Sequence, residues 1–413
     1  MALARFLQVS DLHLGRPFAW LPSDRRDDRR RDQQRALERS VSEAIERGVH
    51  GILLPGDMFD SSAVDAGLLT FAIKAFEVNG CPPVYIAPGN HDPASAANAA
   101  WNPRLLRARG LSWPAHVHVF DTPHWSSAAV PRLPGVRVWG RCFTANVEST
   151  ERPLSSASLA PVQGTDPMGF EIAVFHGSRE GQCPPSQKMT APFSDAEVTA
   201  SPFVYHAVGH YHTHSRIEQP LAEGVRSAGA RLAYAGSAVS LDFTETGSHG
   251  AIEVRIEYGH RLPFVEVEPI ELDRRLVYDV AVDVTGAASA DQLDRRIMKS
   301  LDLAGAGDQD LATVRLIGRL AAGVRWSGPG TELRAHLFHM RSDTTGVRPD
   351  YDLSTYRTGE GRTTEERFAR ELLAQLDAET DPAARQAIER ALHYGLDAFK
   401  LRDVSPVLDE VAS

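Results

Sequence analysis

The chain has 413 residues, of which 42% are hydrophobic and 24% charged, and 44 basic against 54 acidic side chains leave a formal net charge of −10. At roughly 150 residues per domain, that length predicts two or three domains, and the composition excludes collagen-like, disulfide-scaffold and wholly disordered chains. Net acidity argues against a uniformly basic nucleic-acid clamp, and no apolar run approaches the roughly 20 residues a membrane-spanning helix needs.

Residues 5–10, 51–55 and 83–88 are short apolar runs that read as buried strands, each followed by acidic, amide or histidine residues. Between them, Leu37, Val41, Ala44 and Ile45 recur at helical spacing within 34–47, as do the apolar residues of 68–76. This alternation predicts an α/β layer with functional groups at the C-terminal ends of strands. Residues 24–31, five arginines among aspartates, read as a solvated, salt-bridged loop. Further strands are expected at 136–141, 171–175, 203–208, 231–235 and 251–258. With them the α/β fold takes the form of a two-sheet sandwich flanked by helices, and the Ser-, Pro- and Gly-rich 147–169 forms a surface loop.

Pro269 reads as a boundary. Residues 1–269 form one domain and 270–350 a small α+β unit, with a strand at 276–284, a helix at 290–303, a strand at 313–320 and a turn-rich stretch from 323. Residues 351–413 form a helical region. There Phe368, Leu372, Leu373 and Leu376 make one apolar stripe. Ile388, Leu392, Leu396 and Phe399 make another, on a helix started by Asp381-Pro382.

Five segments that follow predicted strands concentrate metal-ligand side chains: Asp11-Leu12-His13, Gly56-Asp57-Met58-Phe59-Asp60, Gly89-Asn90-His91-Asp92, Phe175-His176-Gly177 and Gly209-His210-Tyr211-His212. Each alone is a weak signal; together, all at strand ends, they would converge on one rim. Carboxylates, an amide oxygen and imidazoles without a thiolate suit Mn²⁺, Fe²⁺ or Zn²⁺. Asp11, His13, Asp57, Asn90, His176, His210 and His212 are too many ligands for one ion but suit two, with one carboxylate bridging. The residues therefore predict a binuclear metallohydrolase acting on a phosphoester.

The motif order resembles the calcineurin-like metallophosphoesterases over roughly the first 260 residues. The runs from Asp11 to Gly15, Gly56 to Asp60 and Gly89 to Asp92, together with Tyr234-Ala235-Gly236-Ser237 and Asp242-Phe243, resemble the DNA-repair exonucleases of the SbcD and YhaO type. That resemblance implies one metal on Asp11, His13, Asp57 and His212 and a second on Asp57, Asn90, His176 and His210. Of the three candidate metals it favours Mn²⁺. It further implies that His91 is the catalytic histidine and that the Asp60 carboxylate orients it. Asp92 is expected to be structural. The implied event is attack by metal-bound hydroxide on the DNA backbone phosphorus, releasing nucleotides. The implied partners are DNA, an SMC-like coiled-coil ATPase subunit docking on the terminal helices, and a second copy of the chain.

Competing functions are a phosphodiesterase or phosphatase for small nucleotides and a non-catalytic scaffold for an ATPase. The second domain speaks against the first, and the complete ligand set against the second. Trp101, Trp113, Trp125 and Trp139 are expected in the core rather than stacked on bases. Arg226 and Arg231 within 224–236 are weaker candidates for a DNA channel. No signal peptide is evident. Cys81, Cys142 and Cys183 form neither a disulfide framework nor a zinc knuckle, so a cytoplasmic protein with no membrane contact is expected.

Overall fold

In this computed structural model, β1 (Ala2–Gln8) buries Ala4 and Phe6 and ends at Gln8, whose amide donates to the carbonyls of Val208 and Ala233. The structure describes all residues except 1, 160–168, 185–187, 220–227, 260–261, 322, 403 and 405–413. β1 pairs in parallel with β2 (Gly51–Leu54), β2 with β3 (Val84–Ile86), and β3 with β4 (Val117–Val119). The crossovers contain α1 (Ser23–Glu46), α2 (Ala66–Phe76) and α3 (Pro103–Ala108). α2 starts where the Asp65 carboxylate accepts the Leu68 N–H at 2.9 Å.

The run 24–31 is the start of α1 and not a loop. Asp27 and Arg30, and Asp28 and Arg31, pair across one helical turn on the exposed side. On the inner side Arg29 is fully buried, paired with Asp273 at 2.6 Å and with Asp32 at 3.4 Å, and Asp32 also takes Arg275 at 2.6 Å. A helix whose buried face carries an ionic network shows no apolar stripe there, which is why periodicity alone reads it as solvated.

The chain continues through β5 (Ser126–Ala129), β6 (Val136–Gly140), α4 (Ser156–Leu159), β7 (Phe170–His176), α5 (Asp195–Ala200), β8 (Tyr205–Gly209), β9 (Ser215–Gln219), β10 (Ala228–Tyr234), β11 (Gly250–Tyr258) and β12 (Phe264–Glu271). Strand order is β4-β3-β2-β1-β11-β12-β10-β8-β7-β6-β5, with β9 on β10. β12 pairs with β11 along its whole length but with β10 only at Ala228–Phe264 and Gly229–Val265. That narrow joint lets the two halves of the path fold face to face. Phe6, Leu53 and Tyr85 of one half share a core with Val138, Ile172, Val174 and Ala207 of the other. The α/β sandwich is therefore present. Parallel pairing within β1–β3 and within β6–β8 turns the C-terminal ends of each set toward a common edge.

Pro269 lies inside β12, opposite Ile252. Beyond Val265 the outer side of β12 has no partner among the described residues, so a proline there removes no ladder hydrogen bond. The first compact unit accordingly runs to Val277, and the second is Tyr278–Ser413.

In the second unit β13 (Val277–Asp283), β14 (Leu311–Leu320) and β15 (His339–Pro349) form a sheet. Leu293, Ile297 and Leu301 of α6 (Ala290–Ala304) pack on Val282, Val314 and Leu316. β15 falls in the stretch read as turns. Its residues are mostly polar and partly exposed, and it is placed by parallel pairing to β14 rather than by an apolar pattern. After α7 (Thr331–Ala335) and α8 (Ser354–Thr358), the helices α9 (Thr364–Ala378) and α10 (Pro382–Leu401) pack through Ala369, Leu373, Leu392 and Leu396. Asp397 of α10 receives both Arg319 of β14 and the Tyr351 hydroxyl, tying the helices to the sheet within this unit.

Candidate active site

The site is built on backbone that most residues avoid. Asp11 (φ 49°), His13 (φ 44°), Asp57 (φ 50°) and His210 (φ 111°) all have positive φ. Each such residue costs on the order of 1–3 kcal/mol and persists only where its surroundings enforce it. Here the Asp11, His13 and Leu14 amides donate to the Gly56, Asp57 and Met58 carbonyls. Gln33 of α1 donates to the Leu12 and His13 carbonyls at 2.9 and 2.7 Å.

A glycine precedes Asp57, Asn90 and His210, and in each case crowding requires it. A Cβ on Gly56 would meet the His176 ring at 2.2 Å, one on Gly89 the Asp57 carboxylate at 2.2 Å, and one on Gly209 the Pro55 carbonyl at 2.0 Å. Asp92, fully buried, accepts from the Gly89 and Phe59 amides at 2.8 and 3.2 Å and shapes the loop that presents Asn90 and His91.

These loops bring donor atoms of Asp11, His13 and His212, and of Asp11, Asp57 and His176, within 4.8 Å of one another in each group. Asp57 Oδ2 lies between two imidazoles, 3.7 Å from His13 Nε2 and 3.3 Å from His176 Nε2. The His210 and His212 loop closes the rim, with the His210 amide on the Asp11 carboxylate at 3.0 Å and the His176 and His210 rings 5.1 Å apart. His13 Nε2, His176 Nε2 and Asn90 Oδ1 are buried without a hydrogen-bond partner. Buried polar atoms are rarely left so, and here the two imidazole nitrogens flank the Asp57 carboxylate, as metal ligands do.

The nitrogens turned away from this centre are all held. His13 Nδ1 lies 3.2 Å from the Asp60 carboxylate and His212 Nδ1 2.6 Å from Glu245. His176 Nδ1 donates to the Pro55 carbonyl at 3.0 Å and His210 Nε2 to the Lys188 carbonyl at 2.7 Å. Electrostatics follow the geometry. Burial opposes ionisation of Asp57, but His176 and the other imidazoles outweigh it and hold the carboxyl below its usual range. Burial also opposes protonation of His176, but Asp57 lifts it to about 9. Burial, with the charge on His176, drops His210 to about 3, and burial raises Asp11.

Asp60 departs from expectation. Its carboxylate goes to His13 and to Arg16 Nη1 at 3.2 Å, and it is the Asp60 carbonyl that accepts His91 Nδ1–H at 3.1 Å. The following helix is capped by Asp65. Glu245 was not expected at all. Its nearest sequence signal is the Asp242-Phe243 segment, where half-buried Asp242 only closes a local turn to Thr244.

The weaker candidates lie elsewhere. Arg231 is fully buried, donating to the Val198 carbonyl, and Arg226 lies outside the described residues, as does most of 160–169. Trp101, stacked on Trp113, and Trp125 and Trp139 are core or partly buried residues.

Residues 4–157 match the family model of the calcineurin-like phosphoesterases. That stretch thus carries a calcineurin-like metallophosphoesterase domain, of a family whose chemistry is metal-dependent phosphoester hydrolysis at a dinuclear centre. The matched stretch holds Asp11, His13, Asp57, Asn90 and His91, and ends before His176, His210 and His212. Similar solved structures include TT1561 of Thermus thermophilus, at 13% identity and TM-score 0.35, covering 65% of this chain and 99% of that one. Another is a dimetal phosphatase from Danio rerio, at 12% identity and TM-score 0.36, covering 63% and 98%. No curated protein matches the sequence. Among the described residues no helix is long and apolar enough to cross a membrane.

Proposed function

We propose that the protein is a binuclear-metal-dependent DNA exonuclease acting in repair. The observation that carries this is the convergence of Asp11, His13, Asp57, Asn90, His176, His210 and His212 on one rim, with buried donors of His13 and Asn90 left without protein partners. Asp11, His13, Asp57 and His212 would hold one ion, and Asp57, Asn90, His176 and His210 the other, with Mn²⁺ the expected metal. When bound, such a pair supplies a nucleophile at neutral pH and neutralises charge on the phosphoryl group.

The chain's own residues do the rest. The Asp60 carbonyl fixes the Nδ1–H tautomer of His91, which leaves Nε2 to carry a second proton. As an imidazolium, His91 offsets negative charge and gives that proton to the leaving oxygen. Asp57 Oδ1 accepts the His91 amide at 2.9 Å, so ligand and acid are set by one contact. A polymer rather than a small ester is favoured by the partial exposure of Asp60, Asn90, His91 and His212. The second unit and the resemblance at Tyr234–Ser237 point the same way. There a Cβ on Gly236 would meet the His212 carbonyl at 2.6 Å. An SMC-like ATPase subunit and a second copy of the chain are the proposed partners.

Purified protein and a His91→Ala variant, given Mn²⁺ with end-labelled linear DNA or a small phosphodiester, test this. Wild type should shorten DNA from its ends, and His91→Ala should keep its metal while losing about 10²–10⁴-fold in kcat. Hydrolysis of the small ester alone would refute the nuclease, and no turnover of either would refute the enzyme.

A further inference from the structure

We infer that the pocket beside His176 seats the base of the nucleotide whose phosphate is cleaved, with Arg141, Phe143 and Glu151 as the residues that recognise it. This rests on the phosphodiester centre proposed above and names what lies next to the scissile phosphate. The pocket has a volume of about 110 Å³, and His176 forms part of its wall. The Phe143 ring stands edge-on to the His176 ring, 5.9 Å away. The Phe143 amide donates to the Pro88 carbonyl at 3.0 Å, and its carbonyl accepts the Ala94 N–H at 2.7 Å. The pocket is thus anchored on both sides of the Asn90–His91 loop.

The lining fits a base better than a phosphate. Phe143, Val147 and Ala191 give it apolar walls, and Arg141 and Glu151, paired at 2.7 Å, give it a polar patch. Arg141 is only 8% exposed, yet among the described residues its guanidinium bonds to Glu151 alone, through Nη2. A guanidinium beside a carboxylate offers donors and an acceptor side by side, which complements a base edge. A phosphate has acceptors only and would meet the Glu151 charge. An apolar cavity of about 150 Å³ holds benzene, so this smaller, open pocket takes most of one base ring and leaves the rest at its mouth. The wall is also strained. Ala191 has a φ of 42° and is fixed by its N–H on the Ser149 carbonyl at 2.6 Å, and a Cβ on Gly177, next to His176, would meet the Ala191 carbonyl at 2.6 Å. Strain of this kind gathers at ligand clamps.

Full-length protein with Mn²⁺ would be given three p-nitrophenyl phosphodiesters: the methyl ester, which has no base, and the two thymidine esters, joined through either hydroxyl. Stacking of one base is worth roughly 5–150-fold, so wild type should prefer a thymidine ester over the methyl ester by such a factor in kcat/KM. Phe143→Ala and Arg141→Met should each lower that ratio about fivefold or more. The ratio is the readout because misfolded or metal-poor molecules drop out of both rates. Arg141→Met strands no buried charge, since Glu151 is exposed, and it carries the test if Phe143→Ala does not fold. No preference in wild type, or a ratio that falls less than about threefold in both variants, would overturn the base pocket. So would a wild type that shortens DNA but hydrolyses none of the three esters, since a seated base should suffice for recognition. A wild type that acts on neither DNA nor the esters would instead overturn the phosphodiester centre beneath it.

Discussion

At the scale of single residues, the motifs are sterically forced pairs. The glycines before Asp57, Asn90 and His210 leave no room for a Cβ, and the left-handed Asp11, His13 and Asp57 aim their side chains into the same small volume. His206 shows a different kind of histidine. It is fully buried away from the rim, bonded to Ser201 at 2.7 Å and to the Arg231 carbonyl at 2.8 Å, and burial with the nearby Arg231 charge drops it to about 3. A depressed pKa on a base means the unfolded chain binds the proton first, so stability falls as pH drops below about 6.5. Between about pH 6.5 and about pH 5 this group alone should remove about 2 kcal/mol. Urea unfolding at both pH values should show that much less acid sensitivity in His206→Gln than in wild type. An unchanged difference would mean that His206 protonates readily in the folded state.

The histidines and carboxylates that cluster at the rim were legible because strand-end motifs announce themselves by type and spacing. Glu245 was not, because a carboxylate 33 residues from the histidine it backs has no periodic signature. The Asp60 assignment misplaced the contact by one group, carboxylate for carbonyl, a distinction that depends on loop conformation and not on residue type.

At the scale of elements, α1 links the first motif to the rest of the unit. Gln33 holds the Leu12–His13 carbonyls, and one turn earlier Arg29 enters the network with Asp32, Asp273, Arg275 and Ser240. Replacing Arg29 by Met keeps the volume but strands Asp273 in the interior, which should cost about 3–5 kcal/mol. Urea unfolding of Arg29→Met measures it; a loss below about 1 kcal/mol would mean that solvent or rearrangement satisfies Asp273. The same network explains a misread element. The helix at 34–47 was visible from Leu37, Val41 and Ala44, but its first turns bury charge, and charge reads as surface. β15 was invisible for the complementary reason, a polar strand recruited by its neighbour.

At the scale of the molecule, the acidity that counts against DNA is unevenly spread. Residues 1–270 carry 25 basic and 29 acidic side chains, and residues 271–413 carry 19 and 25. The phosphoesterase unit is thus close to balance, and two divalent ions at Asp11 and Asp57 would offset the remainder. On the proposed function, substrate charge would be met at a metal-lined rim rather than by a basic surface, and firm capture of DNA would fall to the proposed partner. The whole account turns on whether Asp57 stands between two ions. Anomalous diffraction from crystals of the full-length protein grown with Mn²⁺ tests this most directly. It should show two peaks sharing Asp57 Oδ2, one beside His13 and His212 and the other beside Asn90, His176 and His210. A single peak, or two peaks that do not share Asp57, would contradict it.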